Sequence, residues 1–371
     1  MTTIPQAVPA ATDPAPARGA PLALSVVSAG LCCAVGQSLD AASAALLANV
    51  DHFHESEFQT HSGDAIRVAR LPGENAWGAA RVARWLAMAL EDARRGLPAD
   101  TQSWTPDACA LLLLCDEPVH TTASWGREVF DGCRLLTGWS FHHSSAILPT
   151  GRAGFAALCT QAQRLLADHK DLRHVIVAGA SSLLNARRIN QLLKQQRLQV
   201  PGNADGFFPG EAAAALVLAR GDEGPVVLRA AGVAQEAGLW SGEVPNRAEG
   251  LTGAVRAACD AARITPRDLG LRLSDVNGEA FYARESATAF TRLMQGGAQL
   301  AHVTPAGGLG EIGAALGPAA VAYLWHRAQR PLRPAGWPGL PASHAVLHLS
   351  DDRGVRAAML IGLRPAWALP S

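Results

Sequence analysis

An unbroken apolar run from Cys109 to Cys115 is followed by a helical stripe at Phe155, Leu158, Ala162, Leu165 and Leu166, and then by a second apolar run over 174–179. Strand, helix, strand in that order is a βαβ unit, which lays a crossover helix on one face of a parallel sheet. The alternation extends in both directions. Residues 22–28 read as a buried strand and 30–36 as a turn. Ser38 is placed to cap a helix with apolar positions Leu39, Ala42, Leu46 and Val50, and 79–95 reads as a second helix. Further on, 211–218 and 226–233 read as a strand pair, 252–262 as a helix, 271–276 as a strand and 285–294 as a helix. A helix over 313–327 and a closing hairpin of 345–349 with 357–363 complete the pattern. The predicted class is α/β, with a weak twofold duplication whose seam lies near 220–225 and whose site falls between the halves.

Such an architecture needs a large core. A length of 371 residues, 49% hydrophobic and 17% charged, supplies one. The charged share is below the roughly 25% of an average domain, which argues against disorder over most of the length. The expected divisions are a Pro/Ala-rich flexible tail over 1–21 and two halves over 22–222 and 223–371. Basic and acidic residues balance at 32 each, so the electrostatic footprint of a nucleic-acid or anionic-membrane binder is missing. Cys32, Cys33, Cys109, Cys115, Cys133, Cys159 and Cys259 lie mostly in apolar runs, with no CxxC pair and no zinc-ligand spacing to histidine. They read as reduced thiols of a cytoplasmic protein that needs no metal and no cofactor. The apolar stretch 22–36 could pass for a signal-peptide core, but it has no charged start of its own, is punctuated by Gly30 and Gly36, and is too short to span a membrane.

Several segments, in order, carry a resemblance. Gly206-Phe207-Phe208-Pro209-Gly210-Glu211-Ala212-Ala213-Ala214-Ala215-Leu216-Val217-Leu218 resembles the G-F-x-P-G-E-G-A-x-x-L-V-L hairpin of β-ketoacyl synthases (3-oxoacyl-ACP synthases) in the thiolase-like superfamily. Ser28-Ala29-Gly30-Leu31 through Val35-Gly36 is similar to that family's opening strand and turn. Val177-Ala178-Gly179-Ala180-Ser181-Ser182-Leu183 is similar to the strand after its nucleophile helix, and Gly313-Ala314-Ala315 to the start of a late helix. The resemblance implies a thiolase-like fold: two duplicated βαβαβ-type halves in a five-layer αβαβα arrangement.

The family's chemistry needs a cysteine to take the acyl chain, two histidines and a lysine. At the nucleophile turn this chain has Thr150-Gly151-Arg152-Ala153-Gly154, with Gly151 in the cysteine's place. At the first histidine it has Asn277-Gly278-Glu279-Ala280-Phe281, with Glu279 there, and an anion would repel an enolate. The second histidine segment matches 304–315, with Gly310 or Leu309 at that position and no histidine between His302 and His326. Both lysines, Lys170 and Lys194, lie in the first half, and the gating loop aligns with the charged turn Ser350-Asp351-Asp352-Arg353-Gly354. The expected catalytic set is therefore none, with degenerate positions Gly151, Glu279 and Gly310. Cys159, two turns beyond Gly151, reads as core.

Other clusters are given bland readings. His52, His54 and His61, and His142-His143 beside Ser144-Ser145, read as solvated or satisfied polar residues. Gly307-Gly308-Leu309-Gly310 lacks the Lys-Ser/Thr of a phosphate loop. Asp351-Asp352 and Glu311 read as isolated solvated or capping acids, and Arg152, Arg187, Arg188 and Arg197 as a solvated face, or else as a contact for an acidic acyl carrier protein.

A framework retained without its chemistry implies a role in protein binding. The resemblance implies a dimer through the central strand and nucleophile helix, either a homodimer or a heterodimer with a related ketosynthase-like chain. The segment from Phe53 through Phe58 to Ala65-Ile66 and Ala69 resembles a divergent ketosynthase-like group encoded beside PAAR-tip and effector genes of type VI secretion, which implies an accessory or adaptor in effector loading. The alternatives are a chain-length-factor-like subunit, or an acyl-chain binder, in fatty acid or polyketide biosynthesis.

Overall fold

The computed structural model describes residues 17–73, 75–98, 104–117, 121–297, 299–330 and 344–364. Its first strand, β1 (Arg18–Cys33), is mostly exposed at its start, alternates buried and half-buried positions from Leu22 to Val27 and is buried from Ser28 onward, as befits a strand that ends between two layers. The elements that follow are α1 (Leu39–Leu47), β2 (Phe53–Gln59), β3 (Ala65–Ala69), α2 (Gly78–Arg95), β4 (Cys109–Leu114), α3 (Trp125–Thr137), β5 (Ala146–Leu148), α4 (Phe155–Asp168), β6 (His174–Ser182), α5 (Ala186–Lys194) and β7 (Glu211–Arg220). The second half runs β8 (Val226–Gln235), α6 (Glu249–Ala261), β9 (Leu269–Ser274), α7 (Ala280–Leu293), β10 (Ala301–Val303), α8 (Ala306–Leu309), α9 (Leu316–Ala328), β11 (His344–Ser350) and β12 (Val355–Leu363).

The strand order is β10-β9-β11-β12-β8-β1-β7-β6-β4-β5, and it reads as the same five-strand pattern twice about the β8–β1 contact. In each half four strands run one way and one, β7 or β12, runs antiparallel between them. The helices repeat as well. α2 packs on β1 and β7, as α6 does on β8 and β12, while α4 and α9 each touch strands of both halves and form the middle layer. The result is five layers, αβαβα, as expected. Glycine marks the duplication physically. A Cβ at Gly30 would lie 2.0 Å from the Ala89 carbonyl oxygen of α2, and one at Gly232 2.0 Å from the Ala254 carbonyl oxygen of α6. Each glycine lets a helix lie directly against its strand.

The middle layer explains the apolar composition. All residues of α9 from Leu316 to Ala328 are buried, which a helix reaches only between two sheets. Leu158, Cys159 and Ala162 of α4 face it from the same core. Each fully buried leucine there contributes about 2 kcal/mol.

Several sequence expectations change. The strand pair 211–218 and 226–233 forms as two strands that do not pair with each other, because β1 lies between them, with Leu24 opposite both Arg220 and Leu228. Gly30 is inside β1 rather than in a turn; the chain turns at 34–36, where Cys33 and Gly36 bond reciprocally. Residues 18–21, expected in the tail, pair with β8, and 1–16 lie outside the described residues. Ser38 caps α1 as predicted, accepting from the Ala41 amide, whereas Val50 lies beyond the helix and is exposed. The closing hairpin forms as β11 and β12. Among the described residues no helix is long and apolar enough to cross a membrane.

Candidate functional site

Parallel strands deliver their C-terminal ends to one edge, where loops form the clefts of α/β proteins. Here the residues just after β4 (Asp116, Glu117) and β11 (Asp351, Asp352) meet Arg152, Phe207, Glu311 and Gly313 around a cavity of about 40 Å³, and Asp275 and Asn277, just after β9, join through Arg152 and Glu311. That volume holds a water molecule or two and no acyl chain. Among the described residues no cysteine, histidine or lysine lines it.

Gly151 has φ +63° and ψ −170°, a conformation reserved for glycine. A Cβ on it would lie 2.3 Å from Oε1 of Glu117, so the Glu117 carboxylate covers the place where a side chain from this turn would begin. Burial, and then the neighbouring Asp116, push the Glu117 carboxyl above its usual range. Asp116 is fully buried and raised by that burial, although it accepts from Ser181 Oγ at 2.6 Å and the Ala314 amide at 3.0 Å.

Arg152, the next residue, reaches across to the second half. Its Nη1 donates to Glu311 Oε2 at 2.5 Å and its Nε to the Ser350 carbonyl at 2.6 Å, with Asp275 Oδ2 3.0 Å away. Asn277 Nδ2 donates to the same Glu311 oxygen at 2.6 Å, and Glu311 Oε1 accepts from the Gly313 amide at 2.9 Å. Burial raises Asp275 to about 6 despite Arg152.

A second clamp lies beside the first. Arg197 grips Glu279 with two bonds, Nε to Oε1 at 2.6 Å and Nη2 to Oε2 at 2.9 Å, while its Nη1 reaches Asp352 at 2.6 Å. Both Arg197 and Glu279 are buried, and a bidentate pair of this kind fixes direction as well as charge. Tyr282 donates to the other Asp352 oxygen at 2.7 Å. Burial opposes ionisation at Asp352, yet Arg197 and then Arg152 hold its carboxyl well below the usual range.

The three sequence-marked positions therefore contribute unequally. Gly151 borders the Glu117 carboxylate, and Glu279 enters the network through Arg197. Gly310 makes no contact of its own with the cavity: it turns at φ +68° against the Phe208 carbonyl, and Glu311 is the residue of that segment that reaches in. The Phe208–Gly210 loop anchors this segment, with Glu311 N donating to Phe208 O and Gly210 N to Glu311 O. Glu279 is not a free anion, because Arg197 neutralises it. Arg152, Arg188 and Arg197 are buried or nearly so rather than a solvated face, and only Arg187 of the four arginines stands in solvent; Glu311 and Asp351 are buried rather than solvated, and each accepts from backbone amides as a capping acid does. For Arg152, Glu311 and Asp351 the signal was their position in turns that the family resemblance marks; nothing local marked Arg188 or Arg197, and the two arginines of the clamps face acids from the other half.

Elsewhere, Glu211 of the Gly-Phe-Phe-Pro-Gly-Glu motif is fully buried and bound by Arg81, the Leu71 amide and Ser182, so it ties β7 to the start of α2. Cys159 is buried in α4 with its thiol pushed up by burial, and all seven cysteines are free and buried. His142 bonds Asp171 at 3.1 Å and lies tilted against His143, with ring centroids 4.0 Å apart, and 306–309 form α8 rather than a phosphate loop. Among the described residues no cluster of histidine, cysteine and acidic side chains is arranged to hold a metal ion.

No family profile matches this chain, and no curated protein matches it in sequence. Solved structures do. An oxazolomycin ketosynthase domain from Streptomyces albus is similar over 94% of this chain and 75% of its own, with 17% identity and a TM-score of 0.73. The ketosynthase from module 6 of the bacillaene synthase of Bacillus subtilis is similar over 92% and 72%, with 14% identity and a TM-score of 0.72. The complex of a ketosynthase with its chain-length factor from Xenorhabdus doucetiae contains a chain similar over 92% and 98%, with 15% identity and a TM-score of 0.68. At these identities the likeness shows the fold, which is thiolase-like and of the kind found in ketosynthases and chain-length factors.

Proposed function

We propose that this chain keeps a ketosynthase-type framework without condensing chemistry and acts through protein contacts, as an accessory or adaptor that loads effectors for type VI secretion. The cavity at the strand ends supports this reading. It is filled by Arg152–Glu311, Arg152–Asp275 and Arg197–Glu279 pairs, has no cysteine among its described lining residues, and has the Glu117 carboxylate over Gly151. A site that must bind an acyl chain and stabilise an enolate needs room and positive or hydrogen-bond-donating groups aimed at the new charge. Here the guanidinium groups of Arg152 and Arg197 are already committed to carboxylates. Gly151, Glu279 and Gly310 are on this reading the vestiges of a catalytic set, and the protein is cytoplasmic and dimeric, with itself or with a related chain.

The adaptor role is tested by co-expressing the chain with a PAAR-tip protein and its effector, followed by size-exclusion chromatography with light scattering. A complex containing this chain and the effector is expected; elution of every component alone overturns the assignment. A second reading is favoured by the likeness to a ketosynthase and chain-length-factor complex. In that case the chain would co-elute with an active ketosynthase or its acyl carrier protein, and its omission would change product length.

A further inference from the structure

At the other end of β4 from the carboxylate cavity, a surface groove of about 760 Å³ lies between the end of α2, the approach to β4 and the turn after α3. Its apolar wall is made by Trp104 and Trp139 with Leu97, Pro98 and Pro106. The two indoles meet edge to face with centroids 5.4 Å apart, and Trp139 is backed edge-on by Phe141 at 6.2 Å, so the aromatic wall is braced from behind. Leu135 and Leu136, just before the Gly138–Ser140 rim, are 85% and 52% exposed. Among the described residues only Val50, Trp77 and Val244 are comparably exposed large apolar side chains.

Among the described residues the charge on the rim is one-sided. Arg94 is engaged by Glu91 at 2.8 Å, so that pair is neutral. Asp107 stands in solvent, and hydrogen bonds from the Thr105 side chain and from turn amides favour its ionised form. No basic side chain among the described residues forms an ion pair with Asp107. A braced pair of indoles beside one uncompensated carboxylate is complementary to a bulky apolar side chain with a cation next to it.

We propose that this groove docks a segment of another protein that inserts a bulky apolar side chain against Trp104 and Trp139 and sets a lysine or arginine against Asp107. This rests on the reading that the chain works through protein contacts, and it assigns a surface to those contacts. The test is a random peptide library displayed on phage, panned on the full chain. Enriched peptides are expected to pair a large apolar residue with a basic one a few positions away. A synthetic representative is expected to bind Trp139→Ala about thirtyfold more weakly and Asp107→Asn about fivefold more weakly. Asp107→Asn changes an exposed side chain, which keeps the test open should Trp139→Ala fail to fold. Absence of enrichment, enriched peptides lacking a basic residue, or equal binding by Asp107→Asn overturns the proposal. None of those outcomes bears on whether the chain takes an acyl group, which a separate mass measurement reads.

Discussion

Placing a cysteine at position 151 sets the geometry of this site against the simplest idea of repairing it. Two costs can be worked out. The backbone at φ +63°, ψ −170° is a region that a side chain occupies at a cost of about 1–3 kcal/mol. The new Cβ would also sit 2.3 Å from Oε1 and 2.5 Å from Cδ of Glu117, so that carboxylate must leave its place. Overpacking of this kind adds about 1–3 kcal/mol. Gly151→Cys is therefore expected to lose about 4 kcal/mol in urea unfolding followed by circular dichroism, or roughly 5 °C in Tm for a chain of this length. In a double-mutant cycle with Glu117→Ala, the steric part should return and the backbone part should remain, giving a favourable coupling of about 2 kcal/mol. Condensing activity is expected to stay absent in both variants, since no histidine or lysine among the described residues lines the cavity. Gly151→Cys with wild-type stability and no coupling to Glu117 would refute the placement of that carboxylate; turnover would refute the inactive site.

Three further outcomes follow from the same network. Arg197→Ala leaves Glu279 buried without its bidentate partner and should cost about 3–5 kcal/mol by urea denaturation, while Arg187→Ala on the exposed face should be nearly silent. Asp275, raised to about 6 in the folded protein from an ordinary value of 3.8, binds its proton more tightly folded than unfolded; its contribution to stability therefore grows as pH falls from about 6 toward 4. The difference in urea midpoint between wild type and Asp275→Asn should shift toward wild type over that window, and a flat or opposite trend contradicts the assignment. Cys159, buried with a raised thiol pKa, should resist iodoacetamide in the native protein and react only after unfolding, as read by peptide mass mapping.

The fold was legible where periodicity carried it. The apolar run at 109–115, the stripe through α4 and the buried strand at 174–179 formed as read, because burial on both faces leaves little choice of residue. The position of β1 between β7 and β8 was not legible, since strand neighbours are set by long-range pairing and a hairpin is the local expectation for two strands a few residues apart. α3 and α5 were missed because their polar faces dominate short windows: α5 contains Arg187, Arg188, Asn190, Gln191 and Lys194 around Ile189 and Leu192. At the site, the family resemblance led to Gly151 and Glu279 but one residue short of Glu311. The charges themselves were misjudged. An arginine such as Arg197 looks solvated until a carboxylate 82 positions away in sequence is brought against it, and no local pattern announces that partner.

The most direct measurement is intact-mass analysis of the purified chain after incubation with acyl-carrier-protein thioesters. A site with Gly151 beneath the Glu117 carboxylate and its arginines committed to acids predicts an unchanged mass. An acyl adduct on Cys159 or any other residue would contradict it and make the chain a synthase whose nucleophile lies elsewhere.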